Sequence, residues 1–100
     1  MVSPSGQKLF PLGQQVMTSG VAGRIEANDG FGEFVAQCLN RHANGVWGDL
    51  SREDKSLNDA SLKSGEDRLF SAYEHDVYPK IWIITEWDRS ATTVLFPDEY

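Results

Sequence analysis

The residue types that could do chemistry are few and lie far apart. Two histidines, His42 and His75, and one cysteine, Cys38, are available. Together they could bind zinc if the fold gathered them, but their spacing does not ask for it, and no metal is expected. Hydrolysis needs a nucleophile beside a base. Ser71, Ser90 and Cys38 are candidates, yet no nucleophile-elbow pattern frames any of them. Gly20, Gly23, Gly30 and Gly32 do not follow a strand with phosphate-loop spacing. Glu86 and Asp88 lie two apart at an expected strand end. Such a pair can run general acid–base chemistry or hold a cation. The plainer reading is that both charges sit in water or pair with Arg89. No catalytic residue and no cofactor are expected.

The elements that must position these residues read as a short extended piece at Gln14-Gln15-Val16-Met17, then helices, then strands. Thr18 or Ser19 can cap a short helix carrying Val21, Ala22 and Ile25, with Asn28-Asp29-Gly30 as its stop. Phe31, Phe34, Val35, Cys38, Leu39 and His42 then form an amphipathic stripe over three turns. On that stripe Cys38 reads as a small buried hydrophobe and His42 as a core or boundary histidine. Ser51 opens a third, peripheral helix to about Ser64, stopped by Gly65. Leu69–Tyr73, Ile81–Trp87 and Ala91–Phe96 read as a three-stranded antiparallel meander. Residues 1–8 read as a flexible arm. The expected class is α+β, with residues 9–100 as a single domain of two to three N-terminal helices packed on the meander.

One hundred residues, 40% of them hydrophobic, can build one small core. No apolar run is long enough for a membrane span, and the N-terminus lacks a signal core, so a cytoplasmic protein is expected. The net charge is −6. Residues 51–100 hold six basic and eleven acidic residues, so the charge concentrates there. Direct nucleic-acid binding is disfavoured, because it needs a basic face. An acidic surface suits a basic protein partner, or merely keeps the chain soluble. Trp47 and Trp87 are aromatic anchor candidates, and Asp49, Glu53, Asp54, Glu86, Asp88 and Arg89 are their charged companions.

Five stretches carry a resemblance: Leu12-Gly13-Gln14, Arg41-His42-x-x-Gly45-x-Trp47-Gly48-Asp49-Leu50, Glu53-Asp54-Lys55-x-x-Asn58, Arg68-Leu69-x-Ser71-x-Tyr73, and the ending from Lys80 to Tyr100. They resemble a family of small proteins carried on plasmids and other mobile elements of proteobacteria. The resemblance implies a mobile-element context and a bacterial host, not an activity. In size and charge the chain is also similar to inhibitors of type I CRISPR–Cas complexes. That likeness implies an anti-CRISPR binding module without enzymatic activity, acting as a monomer or homodimer. Its acidic residues would block a basic, nucleic-acid-binding surface on Cas subunits. The alternatives are a small enzyme and a dimeric regulatory partner of a plasmid system.

Overall fold

The structure, a computed structural model, describes residues 9–100; the expected N-terminal arm lies outside the described residues. The chain runs β1 (Gln14–Met17), α1 (Ser19–Ala27), α2 (Asp29–Ala43), α3 (Arg52–Ser64), β2 (Leu69–Tyr73), β3 (Ile81–Thr85) and β4 (Ala91–Leu95), followed by a 3-10 turn at Pro97–Glu99. The helix boundaries follow local chemistry. Thr18 caps α1, Asn28 caps α2 and Ser51 caps α3, each side-chain oxygen accepting the backbone N–H three residues on. Gly65 closes α3 in the left-handed conformation, at φ 69.

The α+β class holds, but the sheet is larger than the expected meander. It has four strands in the order β1-β4-β3-β2. Strands β2, β3 and β4 form the antiparallel meander, and β1 adds to β4 in parallel, with Val16 opposite Thr93. A strand therefore precedes the helices. β3 also ends at Thr85, so Trp87 is not on the strand face expected for it.

One face of the sheet carries the core. Ile81, Ile83, Tyr73 and Val94 pack with Val21 of α1 and Phe31, Phe34, Val35 and Cys38 of α2. A second cluster joins Phe10, Leu12, Ala43, Trp47 and Leu69. On the opposite face Phe70, Trp82 and Tyr100 meet edge to face, with centroids 5.1 and 5.7 Å apart.

The β2 edge is sealed. Gly48 bridges Ala72, so the Asp49 amide donates to the Ala72 carbonyl at 2.7 Å and Ala72 donates to Trp47 at 3.3 Å. Gly48 sits at φ 78, and a Cβ there would strike the Ala72 carbonyl, so only glycine allows the approach. The buried Asn58 side chain closes the rest, donating to the Phe70 carbonyl at 2.5 Å and accepting the Phe70 amide at 3.1 Å. Asn58→Ala strands both groups beneath α3. It is expected to cost about 2–3 kcal/mol, read as a lower urea midpoint at unchanged slope.

Candidate functional site

Of the chemistry-bearing residues only His42 and Ser71 meet, in a place that is closed, while His75 lies exposed against Phe34. His42, fully buried on α2, contacts the Ser71 hydroxyl through Nδ1 and Thr85 Oγ1 through Nε2 at 2.8 Å. Thr85 Oγ1 lies 2.7 Å from Thr92 Oγ1, and the Thr92 hydroxyl donates to the Leu12 carbonyl at 2.7 Å. Ser71, Thr85 and Thr92 are all 0% exposed.

A carbonyl can only accept, and that fixes every proton in the chain. Thr92 gives its proton to Leu12, so it accepts from Thr85. Thr85 then accepts from Nε2–H of His42, and Nδ1 accepts from Ser71. The imidazole is neutral and protonated at Nε2. Burial first, then the Arg89 guanidinium, lowers its pKa to about 3. Ser71 beside His42 has the elements of a nucleophile and base. With both at 0% exposure and both ring nitrogens paired, the pair holds the fold together instead of facing a substrate. Cys38 is inert in the same way. It is 1% exposed, and burial pushes its thiol up to about 12. Among the described residues no cluster of three or more His, Cys, Asp or Glu could hold a metal.

The expected partner-binding residues divide. Trp47 is corrected from surface anchor to core residue: it is 3% exposed, and its indole donates to Asp59 at 2.9 Å. Arg89 is corrected too. Its side chain turns inward and donates to the carbonyls of Asp67 (2.6 Å), Glu86 (3.3 Å), Trp87 (3.0 Å) and Ser61 (3.1 Å). Ser61 lies in the last turn of α3, where a cation complements the helix dipole. Arg89 holds φ 62, a left-handed conformation that costs roughly 1–2 kcal/mol without such compensation.

Glu86, Trp87 and Asp88 stay outside, on the β3–β4 turn that Arg89 pins. Trp87 is 61% exposed. The Ser90 amide donates to Asp88 at 3.0 Å, and hydrogen bonds from the Ser90 hydroxyl and amide hold that carboxyl below the usual range. Asp67, unmarked in the sequence, is brought beside this turn by the Arg89 contact.

Asp49, Glu53 and Asp54 belong elsewhere. Asp49 accepts the Glu74 amide at 2.9 Å, at the far end of β2. That is four strand steps, roughly 13 Å, from the Leu69 end, which faces Thr85. Glu53 and Asp54 occupy the first turn of α3, where their charge favours the helix N-terminus. Compared with protein-family models, curated proteins and solved structures, the chain has no match. Among the described residues no helix is long and apolar enough to cross a membrane.

The His42 pKa gives the sign of a pH dependence. The fold requires the neutral ring, and the unfolded ring protonates near 6.5. This contribution to stability is complete above that pH. It is lost as the pH falls toward 3, by about 1.4 kcal/mol per unit. Urea unfolding at stepped pH reads the slope. NMR of the ring carbons reads the cause, and the His42 signals should stay fixed down to about pH 4.

Proposed function

We propose that this protein is a small acidic binding module that works by contact rather than by chemistry. On this reading the β3–β4 turn carries the contact. The observation that carries it is Trp87. It stands 61% exposed on a turn whose backbone is already fixed by Arg89, with exposed Glu86 and Asp88 beside it. An aromatic anchor held in place before binding loses little entropy on docking, and the flanking carboxylates select a basic partner. The closed Ser71–His42 pair supports the same reading, since it offers no reactive group to a substrate.

The likeness in size and charge to inhibitors of type I CRISPR–Cas complexes supplies the target class. The partner is a Cas subunit of a type I complex in the host cell, whose nucleic-acid channel is basic, and binding blocks that channel. The protein is then an inhibitor that lets a mobile element evade host defence.

The test is recovery of the tagged protein from cells carrying such a complex. A Cas subunit should copurify, release with added salt, and bind about tenfold or more weaker after Trp87→Ala. No copurifying subunit, together with unimpeded phage targeting, rejects the target. Copurification unaffected by Trp87→Ala rejects the turn. Arg89→Gly separates anchor from scaffold. Glycine tolerates the positive φ, so a loss of binding there reports the missing pins on the Trp87 backbone.

A further inference from the structure

The two edges of the sheet are treated differently. At β2 the outward backbone groups of Phe70 and Ala72 are satisfied by Asn58, Trp47 and Asp49. At β1 they are open. Gln14 and Thr18 donate toward β4, to the Ser90 and Val94 carbonyls at 2.9 and 3.1 Å. By strand alternation Gln15 and Met17 then point their N–H and C=O groups away from the sheet. Neither has a hydrogen-bond partner among the described residues, and all four residues of β1 are exposed. Natural edges are protected by charge, proline or cover. Gln14-Gln15-Val16-Met17 has no charge and no proline.

A groove runs beside this edge. It measures about 260 Å³ and is lined by Leu12, Gln15, Ala36, Leu39, Asn40 and Ala43, so α2 forms its far wall and no charged side chain faces it. A strand added to β1 would place alternate side chains in that groove, against Leu39 and Ala36. Backbone pairing plus a side-chain pocket is the geometry by which extended peptides add to a sheet.

We propose that the β1 edge and its groove form a docking site for an extended segment of a partner protein. That segment has small or medium apolar residues at alternate positions and basic residues at both ends. The flanks follow from charge. The Gln14 end of β1 meets the Asp88–Ser90 turn, and at the other end the Thr18 hydroxyl donates to Glu99 at 2.7 Å. Carboxylates thus stand at both ends of an uncharged strand. A second copy of this chain fits less well. It would bring another −6 against the first, and four residues of edge are far fewer than the roughly 20–30 a side of a stable interface. The site is separate from the Trp87 turn and stands whether or not that turn binds anything.

The experiment selects short random peptides, displayed on phage, against the full chain. Enriched peptides should alternate apolar residues between Lys or Arg flanks. They should raise hydrogen-exchange protection of the Gln15 and Met17 amides. Gln15→Pro should weaken them about tenfold or more, since proline removes the outward N–H at an edge position where it is tolerated. Ala36→Tyr, which fills the groove from an exposed position, should do the same and serves if Gln15→Pro does not fold. Trp87→Ala should leave peptide binding unchanged, which keeps this site distinct from the turn. No enrichment, binding indifferent to Gln15→Pro and Ala36→Tyr, or acidic flanks would overturn the proposal. So would a dimer by light scattering that Gln15→Pro dissociates, because the edge would then belong to a second copy.

Discussion

The rest of the molecule hangs on the buried hydrogen-bond chain from Ser71 through His42, Thr85 and Thr92 to the Leu12 carbonyl. It links α2 to three consecutive strands and to the segment entering β1. It also borders the second apolar cluster, and the His42 ring meets Phe10 and Trp47 edge to face at 5.4 and 5.6 Å. Apolar packing tolerates small slides, whereas a ring with one donor and one acceptor does not. Shifting β3 by one residue would turn Thr85 to the outer face and leave Nε2–H unpaired. An orphaned buried group costs about 1–3 kcal/mol, a large share of the roughly 5–15 kcal/mol that holds a small domain. The chain therefore fixes register more than it adds net stability.

Arg89 is the second device, and it supports the first. Its guanidinium satisfies carbonyls from the turn, the α3 end and the Asp67 loop, and lies 5.9 Å from the Phe10 ring. That position is close enough to help keep His42 neutral. The tip of the hairpin is thereby coupled to the polar seam. Locking the turn places a positive charge near the ring, and the ring responds by staying unprotonated. The residue that holds the β3–β4 turn thus adds to burial in keeping the core histidine neutral, the state the strands require.

Much of this was legible in the chain where local chemistry decides structure. The stripe from Phe31 to His42 named the buried face of α2, with His42 as a core residue, and Ser51 and Gly65 bracketed α3. What could not be read was decided by contacts distant in sequence. Gln14-Gln15-Val16-Met17 reads as an extended piece, but its place in the sheet does not, because the edge it pairs with, β4, lies nearly eighty residues on. Trp47 looked like a surface aromatic until Asp59, a helix away, gave its indole a partner in the core. Arg89 looked like a surface charge because no local signal marks four carbonyls converging on one guanidinium. The break between two apolar runs placed a turn at Asp88, but β3 ends at Thr85, two residues sooner than expected, so Glu86 and Trp87 join that turn.

The treatment of the two edges shows where selection for a single fold stops. Sealing β2 uses a glycine in a conformation only glycine adopts easily and an asparagine buried for two backbone bonds. The β1 edge, on the same sheet, receives none of these, nor the lysines and prolines that blunt an edge. Folding alone gives no reason for the difference, since four short strands pair as well with either edge covered. Solubility gives a reason for covering both, because an open uncharged edge invites pairing between chains. Shortness limits that risk. Four residues are too few to hold a second copy against the repulsion of two chains at −6, yet enough to register an incoming segment that brings its own basic flanks. An edge kept short and neutral between carboxylates is therefore selective by charge, and the strength of any pairing there should fall as salt screens those carboxylates.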